Sequence, residues 1–130
     1  MSPTERTLAE LKKRGMKSGV TERWISQVWV GNGQRGIRKD LFGIIDIIAL
    51  DQKRGIVGVQ STGNDFSGHD KKIMEEKRQE TIDWLSTPGA YLELWAWRKI
   101  KKVKGKNIEI WSPRIKEDTL NDFEEIDPLA

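Results

Sequence analysis

Leu41-Phe42-Gly43-Ile44-Ile45-Asp46-Ile47-Ile48-Ala49-Leu50 is apolar at nearly every position but Asp46. Asp51-Gln52-Lys53-Arg54-Gly55 separates it from Ile56-Val57-Gly58-Val59-Gln60-Ser61-Thr62. Two short apolar runs rich in β-branched residues around a polar break predict a hairpin of two buried strands. Paired residue numbers in a hairpin have a constant sum, and a three-residue loop, either Gln52 to Arg54 or Lys53 to Gly55, makes that sum even. Side chains alternate faces with period two, so Asp46, Gln60 and Thr62 then share a face, with Asp46 opposite Gln60 or Thr62. A four-residue loop would put them on opposite faces.

Asp46 needs a physical reason to stand in such a strand. An ionised carboxylate flanked by Ile44, Ile45, Ile47 and Ile48 costs roughly several kcal/mol unless a cation or strong donors compensate it. A structural Asp46 would accept backbone amides or pair with an arginine such as Arg38. A metal-binding Asp46 would share its face with the Gln60 amide oxygen. A backbone carbonyl near Ser61 and one further carboxylate would then complete an oxygen site for six-coordinate Mg²⁺, or Mn²⁺, with water in the remaining positions. Glu22, just before a strand and close to where the first helix packs back, is the candidate for that carboxylate; alternatively it is a solvated acid paired with Arg23. Asp40 is on the same face as Asp46 but about 20 Å away along a continuous strand, which makes it a structural or loop-ordering acid.

Composition narrows the chemistry. At 130 residues the chain has room for one α/β domain, read as 1–116 with an acidic C-terminal tail at 117–130. Zero cysteines exclude thiolate zinc and cysteine nucleophiles, and a single histidine excludes a multi-histidine metal cluster. Any metal must be held mainly by oxygen. The tail holds six acids and no base, leaving a body with 23 Lys and Arg against 14 Asp and Glu, a net +9 that suggests a polyanionic partner. No run of about 18 apolar residues and no apolar leader core is present, so no membrane partner and a cytoplasmic location are expected.

Along the chain, Ser2-Pro3-Thr4-Glu5 reads as a helix start, Leu8 and Leu11 as its apolar stripe and Gly15 as its stop. Lys17 to Val20 reads as a turn, Glu22 to Val30 as a strand, and Gly31 to Gly36 as a mobile loop. A charged helix starts at Ser67 or Asp70 and runs to Leu85 before Pro88-Gly89, with Met74, Ile82 and Leu85 on one side. Ala90 to Ile100 and Ile108 to Trp111 form a second hairpin, whose connector Lys101-Lys102-Val103-Lys104-Gly105-Lys106 is strongly basic. A short helix is expected across Thr119 to Ile126. Most of the six tryptophans follow strand alternation and belong to the core, although exposed indoles can stack on unpaired bases.

Arg38-Lys39-Asp40-Leu41-Phe42-Gly43-Ile44-Ile45-Asp46-Ile47-Ile48-Ala49-Leu50, followed by Gly55-Ile56-Val57-Gly58-Val59-Gln60-Ser61-Thr62, resembles the core of PD-(D/E)XK nucleases. The nearest likeness is to archaeal-type Holliday junction resolvases and small phage-encoded nucleases. The resemblance implies a restriction-endonuclease-like fold in the order α-β-β-β-α-β, with a mixed central sheet between helices. It matches Asp46 to the metal-binding aspartate, Gln60 to the second acidic position, Thr62 to the lysine position and Glu22 to the N-terminal glutamate. Gln60 and Thr62 depart from the pattern, and Lys71 or Lys72 is the expected substitute for the missing ammonium. His69 is a secondary neighbour, as a lone loop histidine more often faces solvent.

The expected function is Mg²⁺- or Mn²⁺-dependent hydrolysis of DNA phosphodiesters, with branched DNA as the substrate by analogy and a homodimer that cuts symmetrically. Catalysis falls to Asp46, Gln60, Glu22, Lys72, Lys71 and Thr62, and metal binding to Asp46, Gln60, Ser61 and Glu22. Arg38, Lys39, Lys99, Lys101, Lys102, Lys104 and Lys106 would hold the DNA backbone without reading sequence. The alternative is a non-catalytic DNA-binding or accessory protein that keeps the fold. A third expectation, a structural interaction protein whose acidic tail docks on a basic partner, coexists with either.

Overall fold

A computed structural model describes residues 1–21, 23–30, 33–102 and 104–124, with 23–30 and 33–38 described by backbone alone. Helix α1 (Pro3–Lys13) starts where Ser2 Oγ accepts the Glu5 amide at 3.1 Å and Pro3 takes the first helical position. Gly15, at φ 83°, turns the chain out of the helix. The chain continues through β1 (Lys17–Val20), β2 (Arg23–Val30), β3 (Gly33–Lys39), β4 (Ile47–Asp51), β5 (Gly55–Thr62), α2 (Phe66–Lys71), α3 (Arg78–Leu85), β6 (Ala90–Lys101) and β7 (Glu109–Asp118).

Five strands form one mixed sheet in the order β1-β4-β5-β6-β7, in which only β5 and β6 are parallel. Strands β2 and β3 form a separate antiparallel pair. Two expectations are corrected here. Lys17 to Val20 is not a turn but the edge strand β1, paired with β4, and the expected loop at Gly31 to Gly36 is mostly strand β3. Within the main sheet the order is still helix, three strands, helix, strand, but β1 takes the place expected of Glu22 to Val30.

The β4–β5 hairpin closes at Asp51↔Gly55, so its loop is Gln52 to Arg54. Asp51 sets that length, because its Oδ1 accepts the amides of Lys53 (2.8 Å) and Arg54 (3.3 Å). The Arg54 guanidinium beside Asp51 holds its carboxyl below the usual range and ties the turn to Glu93 of β6. The expected strand from Leu41 is shorter than its apolar pattern. Phe42 (φ 56°) and Gly43 (φ 75°) are left-handed, and a bridge between Leu41 and Ile45 folds the chain back before β4 begins.

Alternation splits the core across the sheet. Ile47, Ala49, Val57, Val59, Trp95 and Trp97 pack under Leu11 of α1. Ile44, Ile45, Leu92 and Leu94 pack with Ile73, Trp84 and Leu85 on the other face. Gly58 lies on that second face, where an added Cβ would meet Ile45 Cδ1 at 2.7 Å, so a side chain there would displace the core.

The expected single helix is in two pieces, with Asp65 capping the first and a π turn at Lys72–Glu76 between them. Thr81 Oγ1 lies 2.9 Å from the carbonyls of Ile73 and Lys77 at this irregular turn. At the C-terminal side, β7 runs through the expected boundary at 116/117; of the expected terminal helix, Leu120–Phe123 is a 3-10 turn, and Glu125 and Ile126 lie outside the described residues. Among the described residues, no helix is long and apolar enough to cross a membrane.

Candidate functional site

Strand β5 outruns β4, and the carboxylate of Asp46 fills the gap. The Asp46 amide donates to the Val59 carbonyl at 3.0 Å, where the β4–β5 ladder ends. Beyond it, the Ser61 amide donates to both Asp46 oxygens at 3.2 Å. Gln60, opposite Asp46 in the continued register, donates from Nε2 to Asp46 Oδ2 at 3.1 Å. Asp46 is 5% exposed and Gln60 1%, so these bonds lie out of solvent and are strong.

Asp40 joins them, which corrects its expected distance. The turn at Leu41 to Ile45 brings the chain back, and Gln60 Nε2 donates at 3.1 Å to Asp40 Oδ2 as well. One amide nitrogen therefore bridges two carboxylates. Gln60 Oε1 is buried with no hydrogen-bond partner, an uncommon state for a buried carbonyl oxygen. Lys72 Nζ lies 3.3 Å from the same Asp40 oxygen, whereas Lys71 is exposed. The two expected lysines thus differ, and only Lys72 reaches the acids.

A cleft of about 780 Å³ opens over this group, lined by Asp40, Asp46, Gln60, Ser61, Thr62 and His69 together with the first turn of α1, including Glu5. Thr62 is buried at its wall. Ser61 Oγ reaches away from it to Thr7 Oγ1 at 2.8 Å. Thr7 also donates to the Pro3 carbonyl and accepts from Trp97 Nε1, both at 2.8 Å, so Ser61 is the donor to Thr7 and anchors α1 beside the cleft.

His69 is half-buried rather than solvent-facing, and its Nδ1 has no hydrogen-bond partner. Burial, followed by the charge of Lys72, lowers its pKa, while Asp65 and Asp40 pull the other way. The ring is therefore neutral at pH 7 and able to accept a proton.

Glu22 and the side chain of Arg38 lie outside the described residues. Lys39 is exposed near the cleft, and Lys99, Lys101, Lys102, Lys104 and Lys106 are exposed on the β6–β7 hairpin. Among the described residues, no three His, Cys, Asp or Glu side chains stand close enough together to hold a metal ion. The acidic pair is Asp40 and Asp46, with the Gln60 amide between them. Sequence reasoning missed Asp40, Glu5 and the burial of His69. Gly43 within an apolar run was the available signal for the turn that returns Asp40. Comparison with known proteins returns no matching family model, curated protein or solved structure.

Proposed function

We propose that this chain is a metal-dependent DNA endonuclease of the PD-(D/E)XK type, with a restriction-endonuclease-like fold and branched DNA as its substrate. The observation that carries the proposal is the convergence of Asp40 and Asp46 on one buried amide at the floor of an open cleft. Two carboxylates this close repel unless positive charge compensates them, and among the described contacts the Gln60 amide bridges both while the Ser61 amide serves Asp46 and the Lys72 ammonium serves Asp40.

The donor set suits a hard cation. Asp40 and Asp46 offer carboxylate oxygens, and a half-turn of the Gln60 carboxamide would exchange Nε2 for the partnerless Oε1. These three would hold Mg²⁺ or Mn²⁺, with water in the remaining positions. Such an ion, when bound, polarises a phosphodiester and lowers the pKa of an attacking water. Lys72 supplies a positive charge beside Asp40 in place of the motif lysine. His69, neutral, stands in the wall of the cleft as a group able to take a proton. Lys39 and the lysines of the β6–β7 hairpin hold phosphates. A homodimer would present two such clefts to a symmetric branch.

A non-catalytic DNA-binding protein is the second reading. It is favoured by the same amide, which satisfies both acids without any ion, and by Thr62 standing where the motif has lysine. Metal-dependent nicking of junction and plasmid DNA separates the two. With Mg²⁺ or Mn²⁺ present, the wild type is expected to cleave and Asp46→Asn to lose cleavage while staying folded, since Asn keeps an oxygen for the Ser61 amide. Cleavage by the variant at the wild-type rate would remove Asp46 from the mechanism. DNA binding by the wild type with no cleavage under any divalent metal would establish the second reading.

A further inference from the structure

Past Ala96, strand β6 leaves β5 behind. Pairing of β5 with β6 ends at Thr62↔Ala96, whereas β6 and β7 stay paired out to Lys101↔Glu109. The two strands therefore continue as an arm. Because β5 and β6 are parallel, the arm projects from the end of the sheet where Gln60 and Thr62 stand.

By alternation, the face of the arm that continues from Gln60 and Thr62 carries Ile100, paired with Ile110, and next to them Ile108. These residues are 36%, 41% and 51% exposed, a part-exposed β-branched apolar strip on a two-stranded ribbon. Trp111, on the opposite face, is covered in part by the Arg6 guanidinium at 3.8 Å and the Lys99 ammonium at 5.3 Å. Around the strip stand Arg98, Lys99, Lys101, Lys102, Lys104 and Lys106 against the single acid Glu109. Two arms laid together would crowd these charges, which disfavours a second copy of the chain and favours a polyanion with apolar surface of its own. Nucleic acid with exposed base faces fits both demands.

We propose that the β6–β7 arm is a wedge for DNA whose base stack is already interrupted, with the isoleucine strip against unstacked bases and the lysines on the flanking phosphates. The proposal rests on the reading of DNA as the partner. Apolar wedges between base steps must offset the cost of unstacking, and at a bulge or branch much of that cost is already met by the DNA. The arm thus selects substrate by stack integrity, while its lysines bind any duplex. Ile100 lies six residues past Leu94, the neighbour of Gln60, so the strip stands about 20 Å from the acidic pair, roughly six base-pair steps along a duplex.

The test is metal-free binding in EDTA, so that cleavage plays no part, using one fully paired duplex and the same duplex with a two-nucleotide bulge. The wild type should prefer the bulged DNA by about tenfold, and the double variant Ile100→Thr/Ile110→Thr should lose that preference while keeping the salt dependence of both complexes. Thr is also β-branched and the positions are exposed, so the strands persist; Ile108→Thr, beyond the paired strands, gives a second variant with a smaller loss. Replacing Lys101, Lys102, Lys104 and Lys106 together should instead weaken both DNAs alike and flatten the logarithmic salt slope by about 0.9 per lost contact. Preference retained by both isoleucine variants overturns the wedge while leaving the nuclease reading intact. A wild-type dimer that the isoleucine variants convert to monomer also overturns it, in favour of a self-interface. Absence of binding to either DNA removes the partner from both readings.

Discussion

Replacing Gln60 with Glu places a third carboxylate where one amide nitrogen now donates at 3.1 Å to both Asp40 and Asp46. Two charge-assisted bonds, each worth about 1.5–3 kcal/mol, become repulsions. With the oxygens pushed back to roughly 4 Å and an effective dielectric of about 20, each pair costs about 4 kcal/mol, and the two together about 8 kcal/mol. A domain with total stability of about 5–15 kcal/mol cannot carry that charge unrelieved. Proton uptake limits the damage: holding a proton at pH 8 on a group of ordinary pKa near 4.3 costs about 5 kcal/mol. In EDTA, Gln60→Glu should therefore melt about 20 °C below the wild type at pH 8 and recover as the pH falls. The sign follows from linkage, since a carboxyl whose folded pKa is raised destabilises the fold only above its unfolded value. Mg²⁺ or Mn²⁺ should restore stability by a second route, and its affinity for the variant should exceed that for the wild type by at least about tenfold. Calorimetric metal titration and thermal melts with and without metal read both effects. Equal metal affinity in the two proteins, with equal melting in EDTA, would refute the placement of Gln60 between the acids.

Lys72→Met should slow cleavage by about a hundredfold or more with little change in metal affinity, because it removes a charge beside Asp40 that would act on the developing phosphate charge; the exposed Lys71→Met should leave the rate unchanged, and equal effects would mean that neither lysine replaces the motif ammonium. A pH effect is expected away from the cleft, at Asp118, whose side chain is fully buried and whose pKa is raised by burial against the pull of Lys116 at 3.3 Å. Its folded form holds a proton more tightly than the unfolded chain, so its contribution to stability is present at low pH and lost as pH rises through the raised value. Asp118→Asn should flatten that part of the stability profile, measured as urea midpoints across the mildly acidic range. An unchanged profile would assign the dependence to another group.

The shared face of Asp46 and Gln60 was legible because strand alternation is local and the hairpin loop is fixed by its own residue, Asp51. Other features depend on contacts that no local pattern encodes. Strand β1, Lys-Ser-Gly-Val, is short and largely exposed, and its strand form comes from pairing with β4. The glycine-bearing strand β3 likewise depends on β2. Asp40 was illegible for a different reason. Its approach to Gln60 needs Phe42 in the left-handed region, a conformation that costs a non-glycine residue on the order of 1 kcal/mol and persists where tertiary contacts offset it. Here the Phe42 ring lies 6.4 Å from that of Trp84, and the missing Cβ of Gly43 leaves room for the Lys77 side chain, so residues more than thirty positions apart decide where Asp40 goes. That placement bears on the departure at Gln60. On the proposed reading a cation needs two carboxylates at this floor, and if Asp40 supplies the second, an amide at position 60 costs the site no charge. An acid there would make three carboxylates that the fold must hold together before any ion arrives, whereas the amide keeps two of them apart until one does.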